Sequence, residues 1–252
     1  MLEISNLKKS YQKHSPVLVG IDLTIKAGEF VVIVGPSGAG KTTLIRCINQ
    51  LVSPDSGEIF FQEKPTTRLK GRGLRRFRSQ IGMIFQSYNL IWGSNVLQNV
   101  LHGRLGQMGF IQSALGLYSK ADIKEAMDLL MTVGLGDFLH KKASTLSGGQ
   151  MQRVGICRAL MQRPTLLLAD EPISSLDPAA ATKVLDQILA LTKARELTSI
   201  INLHHVDFAK KYASRIIGLR EGKVVFDGLP HQLTDSIVEY IYGHKIEEAH
   251  LV

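Results

Sequence analysis

The chain has 252 residues, of which 44% are hydrophobic and 21% are charged, and its formal net charge at pH 7 is +8. This size permits one large α/β domain or two small ones, and the basic balance suits an anionic partner such as a nucleotide, a nucleic acid or a lipid head group. Only Cys47 and Cys157 are cysteines, and the apolar runs are far shorter than the roughly 20 residues of a membrane span, which excludes a disulfide framework and a transmembrane helix. We therefore expect a chain that is soluble by itself, has buried free thiols in a reducing compartment and lacks a secretory signal.

Two strand-like segments open the chain, at residues 2–7 and 17–25, with a turn at 13–16 between them. Tyr11 lies just before this turn. Its ring either stacks on an adenine face, because every base offers a π surface, or serves as an ordinary half-buried residue at a strand end. Its position alone does not decide between these uses.

A glycine-rich loop joins the apolar strand at 30–34 to a predicted helix at 43–48. Glycines let consecutive backbone N–H groups point at phosphate oxygens, and the helix presents its positive end to the same anion. In this pattern Lys41 reaches the β- and γ-phosphates, and the Thr42 hydroxyl ligates Mg²⁺. A glycine turn without a ligand is disfavoured because the glycines, Lys41 and Thr42 are all in register after a strand. The residues predicted to bind a nucleoside triphosphate here are Gly35, Pro36, Ser37, Gly38, Ala39, Gly40, Lys41, Thr42 and Thr43.

The next segments are a turn at 53–57, a strand at 58–61, a basic segment at 68–78 and a strand at 81–85. The basic segment is more typical of a solvated loop and helix face than of a lipid or nucleic-acid site. Gln86 follows the last strand. It either helps to ligate Mg²⁺ or orient water, or it is an ordinary surface glutamine, which is the commoner use of this residue type.

Residues 87–159 have helical periodicity, notably at 96–101 and 122–131, and we interpret them as a helical insert in an α/β core. Four apolar or aromatic residues of its glycine-rich part either pack within the insert, which is the more common use, or face a partner protein: Met108, Phe110, Leu115 and Tyr118. Near its end, Ser147 can cap a helix, and Gly148 and Gly149 leave backbone N–H groups unobstructed, so this turn forms a second helix start suited to an anion.

A buried strand at 165–169 ends in two adjacent carboxylates, Asp170 and Glu171. Parallel strands deliver their C-terminal residues to the edge of the sheet where ligands bind. Asp170 is placed to hold the Mg²⁺ shell, and Glu171 is placed to polarise or deprotonate the attacking water. A pair of exposed turn acids is a poor alternative because four apolar residues lead straight into them.

The remaining elements are a turn at 174–178, a helix at 179–190, a strand at 198–203, a helix at 207–212 and a closing hairpin at 215–228. His204 and His205 follow the strand, and His204 is the better placed of the two to hydrogen-bond a γ-phosphate. The tail at 230–252 is predicted to form one or two short helices without a motif.

These segments together resemble the ATP-binding subunits of ABC transporters over nearly the whole chain. The phosphate loop, Gln86, 146–150, 166–171, 174–177 and His204 are similar in order and separation to that family's Walker A, Q-loop, signature, Walker B, D-loop and switch histidine. The resemblance implies one nucleotide-binding domain over 1–252. Its P-loop NTPase (RecA-like) α/β core spans 1–86 and 160–228 with an antiparallel β subdomain, its helical subdomain spans 87–159, and a helical tail spans 229–252.

The resemblance also implies the roles of individual residues. Tyr11 stacks on adenine, Glu171, His204 and Gln86 are catalytic, and Thr42, Gln86 and Asp170 hold Mg²⁺. Two copies pair head to tail, so that each ATP lies between the phosphate loop of one subunit and the signature of the other. Further nucleotide contacts are then expected from Ser147, Gly148, Gly149, Gln150 and Asp177.

The implied partners are membrane permease subunits and, indirectly, a solute-binding protein, with no direct nucleic acid and a peripheral position on the cytoplasmic face of the inner membrane. Within the family, segments 95–106, 202–209 and 216–228 resemble phosphonate import ATPases, although His205 and Met151 replace glutamines that we expect there. Importers of phosphite or phosphate would look similar, since this subunit never contacts the cargo. A soluble ABC ATPase of DNA repair or translation is disfavoured by the single cassette, and a small-molecule kinase by the signature and Asp170-Glu171.

Overall fold

The computed structural model describes residues 1–12 and 15–243, so Lys13 and His14 of the predicted first turn and 244–252 of the predicted tail lie outside the described residues. The described chain forms two compact units. One unit is Met1–Arg68 together with the chain from Ile200 onward, and the other is Leu69–Ser199.

The elements fall close to the predicted segments. The strands are β1 (Leu2–Gln12), β2 (Ser15–Ile25), β3 (Phe30–Val34), β4 (Ser56–Phe61), β5 (Lys64–Pro65), β6 (Ile81–Ile84), β7 (Leu166–Asp170), β8 (Thr198–Asn202), β9 (Arg215–Arg220) and β10 (Lys223–Gly228). The helices are α1 (Lys41–Ile48), α2 (Gly71–Arg78), α3 (Val96–Leu101), α4 (Phe110–Leu115), α5 (Lys120–Thr132), α6 (Gly148–Met161), α7 (Pro178–Ala194), α8 (Val206–Tyr212) and α9 (Asp235–Tyr242). Short 3-10 helices occupy His102–Gln107, Gly136–Phe138, Ala143–Thr145 and Pro230–Gln232.

The first unit contains an antiparallel sheet in the order β2-β1-β4-β5. Alternating burial along β1, with Leu2 and Ile4 inward and Glu3 outward, gives this sheet one apolar face. A second set of strands has the order β10-β9-β3, and residues 200–202 of β8 follow β3. The strand β3 is buried along its whole length and pairs in parallel with β9, as expected for a continuous β-branched run.

The hairpin of β9 and β10 turns at Glu221 and Gly222, whose φ values are 50° and 75°. Two consecutive positive φ angles match the right-handed twist of paired strands. The turn also fixes the phosphate loop, because the N–H of Gly222 donates to Ala39 O at 3.2 Å.

In the second unit, β6 and β7 pair in parallel, and the helices α2 to α7 complete the unit. Its core lies between α3, α5 and α6, where Val100, Leu130 and Ile156 are fully buried. Packing inside this unit was expected for Phe110 and Leu115, and that expectation is wrong. Their side chains are 84% and 67% exposed, because α4 is only six residues long and presents them to solvent.

Within the described residues, no helix is long and apolar enough to cross a membrane. Both cysteines are free thiols and buried, as expected.

Candidate functional site

The phosphate loop lies in the first unit, between β3 and α1. Gly35 has a φ of 150°, and a Cβ atom there would lie 2.1 Å from the carbonyl oxygen of Leu219. Gly40 has a φ of 102°, and its Cβ would lie 2.7 Å from Val17 O. Only glycine fits either position, because a larger residue would meet backbone atoms and adopt a left-handed conformation. The loop is therefore shaped by contacts with two neighbouring strands.

Lys41 begins α1 and is buried. Its Nζ donates to the carbonyl oxygens of Gly35 at 2.7 Å and Pro36 at 3.0 Å, so the ammonium group lies along the loop. Among the described residues, no side chain caps the start of α1, and its first turn has no acidic residue. The amide groups and the positive end of the helix dipole thus face the loop, an arrangement that suits a phosphate.

Tyr11 lies at the end of β1 beside the first turn of α1. Its hydroxyl shares a 3.3 Å hydrogen bond with Thr43 Oγ1, the side chain is 57% exposed, and Lys9 Nζ is 5.8 Å from its ring centroid. The structure thus brings together the predicted aromatic residue and the predicted phosphate loop. An exposed ring next to that loop is available for stacking.

His204 follows β8 in the same unit. Its backbone oxygen accepts a 3.0 Å hydrogen bond from the hydroxyl of Tyr242, in α9. Burial raises the pKa of this phenol, and a hydrogen bond with the backbone of Gly35 opposes the shift. Tyr242 therefore links the start of the phosphate loop to His204. Sequence reasoning missed it because the tail carries no motif; the only signal is the apolar face of α9, on which Val238 and Ile241 are buried.

The carboxylates lie in the second unit. Asp170 is the buried last residue of β7, and Glu171 follows with a φ of 51°. A left-handed backbone conformation is uncommon for glutamate, and it turns the side chain away from the direction it would have in a continuing strand. Backbone N–H and hydroxyl groups of Ser174 both donate to Glu171 O, at 3.3 and 3.2 Å, and stabilise the turn.

Two of the predicted nucleotide ligands also cap helices. Ser147 Oγ accepts from the N–H of Gln150 at 3.4 Å, and Gln150 Oε1 accepts from the N–H of Ser147 at 2.8 Å, which is a capping box at the start of α6. Asp177 accepts from the N–H of Ala180 at 3.0 Å and caps α7. These polar side chains are therefore held in place by their own helices.

Gln86 is exposed after β6. The loop that follows it is hydrogen-bonded to α6 and to the turn before α7. The hydroxyl of Tyr88 lies 2.8 Å from Ser175 Oγ, in the turn before α7. The guanidinium of Arg158, in α6, donates to the carbonyl oxygens of Tyr88 and Asn89. Burial lowers the pKa of this guanidinium. Tyr88 and Arg158 were not singled out from the sequence, since neither belongs to a motif.

The donor types required for magnesium are present in both units: the Thr42 hydroxyl in the first, and the Gln86 amide and the Asp170 carboxylate in the second. Oxygen donors of this kind fit Mg²⁺, which is usually bound through one or two carboxylates together with water and substrate phosphates. Within the described residues there is no group of three or more His, Cys, Asp or Glu that could hold a metal ion by itself.

A comparison with protein families matches residues 18–174 to the ABC transporter family. The phosphonates import ATP-binding protein PhnC 2 of Halalkalibacterium halodurans is 49% identical over 242 residues, 96% of this chain and 99% of that protein. The phosphonates import ATP-binding protein PhnC of Shouchella clausii is 48% identical over 252 residues, 100% of this chain and 95% of that protein.

Solved structures give the same fold. The ATP-binding cassette MJ0796, in a dimeric post-hydrolysis state bound to ADP and Pi, has a TM-score of 0.79 and 33% identity, with coverage of 91% of this chain and 99% of that one. The ADP conformation of the cassette MJ1267 has a TM-score of 0.82 and 27% identity, with 95% of each chain covered. The predicted P-loop NTPase fold is thus confirmed.

Proposed function

Because this chain belongs to the ABC transporter family, as an ATP-binding and ATP-hydrolysing subunit, we propose that it drives the import of phosphonates. The observation that carries the proposal is the near full-length identity of 45–49% with several phosphonates import ATP-binding proteins. Importers of phosphite or phosphate are the alternative that a transport assay has to exclude.

We propose that the phosphate loop and Tyr11 bind the nucleotide. The uncapped start of α1, the buried Lys41 and the exposed ring beside Thr43 support this assignment. Lys41 would exchange its bonds with Gly35 O and Pro36 O for phosphate oxygens, and a charge-assisted hydrogen bond to an anion is stronger than one to a carbonyl.

The hydrolytic roles are assigned to Glu171, His204 and Gln86. Glu171 accepts a proton from the attacking water, His204 donates a hydrogen bond to the γ-phosphate, and Gln86 orients water or completes the metal shell. The side chains proposed to hold Mg²⁺ are those of Thr42, Gln86 and Asp170. When bound, this ion neutralises developing charge on the phosphates.

A second copy of the chain would complete each site, through Ser147, Gly148, Gly149, Gln150 and Asp177. The capping box of Ser147 and Gln150 and the cap formed by Asp177 support a fixed orientation for these groups. ATP would then favour the closed dimer because it binds that state far more tightly than the open one, and hydrolysis would reopen it. Membrane permease subunits, served by a solute-binding protein, would couple this cycle to transport at the cytoplasmic face of the inner membrane.

Mixing two inactive variants tests the shared site. Lys41→Ala disables the phosphate loop, and Ser147→Arg disables the signature. If sites are shared across the dimer, a mixed dimer contains one intact site, so random exchange should restore up to about a quarter of wild-type ATPase activity. Ser144→Arg is the matched control, an exposed serine three residues before Ser147. Full activity of Ser147→Arg alone would contradict the shared site.

The cargo is tested with the intact complex in vesicles. Phosphonate bound to the solute-binding protein should stimulate ATP hydrolysis and accumulate inside, and the Glu171→Gln complex should do neither. Stimulation by phosphite or phosphate in place of phosphonate would overturn the cargo and leave the ATPase assignment intact.

A further inference from the structure

The positive charge of this chain comes from one segment. The sequence has 30 Lys and Arg residues and 22 Asp and Glu residues. Nine of the basic residues and none of the acidic residues lie between positions 64 and 121, so the rest of the chain has 21 basic and 22 acidic residues. A stretch of this length without an acidic residue creates a local positive field that attracts anionic partners. The nucleotide-binding residues proposed above do not use these cations.

Four of these nine cations lie in one helix of the second unit, α2. In α2, Arg72, Arg75 and Arg76 are exposed, while Phe77 is buried and anchors the helix. Arg75 donates to three carbonyl oxygens: Nε to Gly106 at 3.2 Å, and Nη2 to Leu105 at 3.2 Å and Met108 at 3.0 Å. Three hydrogen bonds from one guanidinium hold the basic helix against the segment that leads into α4, which consists of the 3-10 helix at His102–Gln107 and Met108.

Exposed apolar side chains follow that segment directly, in α4 and just after it. Phe110, Ile111, Leu115 and Leu117 are all more than half exposed, and glycines flank α4 at 109 and 116. Large apolar residues scattered singly on a surface need no explanation, but four within eight positions beside an arginine-rich helix do. The basic–apolar surface is defined by Arg72, Arg76, Phe110, Ile111, Leu115 and Leu117.

The shape of this surface distinguishes between partners. Phe110 is 84% exposed and projects from the surface, so a protein partner would need a pocket shaped to receive it. A bilayer needs no matching groove, since apolar side chains insert among the acyl chains while neighbouring cations contact anionic head groups. We propose that the basic–apolar surface binds the surface of an anionic lipid bilayer directly, with Phe110 and Leu115 inserted at the interface.

Flotation of the purified full-length chain with vesicles tests this proposal. Vesicles of phosphatidylcholine with about 30% phosphatidylglycerol should bind the protein at low salt at least tenfold more tightly than phosphatidylcholine alone, and binding should fall in about 0.5 M salt. Arg72→Gln/Arg76→Gln should weaken binding by roughly 25-fold, about fivefold for each cation. Phe110→Ser/Leu115→Ser should weaken it by at least tenfold.

Matched controls lie outside the surface. Lys183→Gln/Lys193→Gln removes two exposed cations from α7, and Leu51→Ser removes an exposed leucine of the first unit. Both should bind vesicles like the wild type, and all of these variants should retain the ATPase activity and melting temperature of the wild type.

Three results would overturn the proposal. The wild type could fail to prefer anionic vesicles, or the control pair could weaken binding as much as Arg72→Gln/Arg76→Gln. Alternatively, Phe110→Ser/Leu115→Ser could leave vesicle binding unchanged and instead lose co-purification with the permease subunits, which would make the surface a protein-docking site.

Discussion

Replacing Tyr242 by phenylalanine tests whether the end of α9 positions His204 for hydrolysis. The substitution keeps the ring and removes only the hydroxyl, which donates to His204 O at 3.0 Å and is also hydrogen-bonded with the backbone of Gly35. Losing the hydrogen bonds of this hydroxyl lowers the free energy of unfolding by about 1–2 kcal/mol. For a chain of this length, that loss lowers the melting temperature by roughly 3–6 °C.

The effect on activity follows from the same hydroxyl, which links Gly35 of the phosphate loop to His204. The proposed ligand of the γ-phosphate is the His204 side chain, and a shift of its backbone misplaces that side chain in the transition state. A loss of about 1.4 kcal/mol of transition-state stabilisation corresponds to a tenfold lower kcat/KM for ATP, measured with purified protein under steady-state conditions.

Tyr240→Phe is the matched control for this experiment. Tyr240 lies in the same helix, its side chain is 58% exposed, and the ring contacts Arg220 in a way that phenylalanine preserves. This control should match the wild type in both measurements. If Tyr242→Phe lowers the melting temperature but leaves kcat/KM unchanged, the hydroxyl only stabilises the fold and the positioning role is refuted.

Three further predictions concern single groups. Glu171→Gln should lower kcat for ATP hydrolysis by about 10²–10⁴-fold while ATP still produces a dimer on gel filtration, and unchanged steady-state turnover would remove this residue from catalysis. Burial raises the pKa of Cys47 to about 11 and of Cys157 to about 12, so iodoacetamide at pH 8 should label neither thiol until urea unfolds the chain; rapid labelling of the folded protein would contradict their burial. Hydrogen bonds from Lys9 and a backbone amide lower the pKa of Asp55 below 3.8, so this carboxylate contributes stability above that pH and loses it on acidification. Asp55→Asn should therefore flatten the dependence of the free energy of unfolding on pH between about 5 and 2, by less than ~1 kcal/mol because the pair is at the surface. An unchanged loss of stability on acidification would argue against the interaction.

Local signals made much of the site predictable. The phosphate loop is specified by glycines between an apolar strand and a helix, and Asp170 and Glu171 follow a continuous apolar strand. In each case the residues that define the element are adjacent in sequence to the residues proposed to bind or react. The structure accordingly places the loop and the carboxylates at the ends of β3 and β7.

Contacts between distant segments were not predictable in the same way. The bond between Tyr242 and His204 joins residues 38 positions apart, and nothing in the composition of the tail marks it. Phe110 and Leu115 were expected to pack because apolar side chains usually do so, yet whether they can depends on a neighbouring element being present to cover α4. Contacts between distant residues, and the exposure of a side chain, depend on the whole fold rather than on a local motif.

The hydrogen bonds of the loop at Tyr88 and Asn89 limit how this loop can move. Tyr88 and Asn89 have φ values of 59° and 51°, and their loop is bonded to Arg158 of α6 and to Ser175. To move alone, the loop would have to break three hydrogen bonds, at a cost on the order of 3 kcal/mol. We therefore expect a displacement of this loop to displace α6 and the turn that follows Glu171 as well.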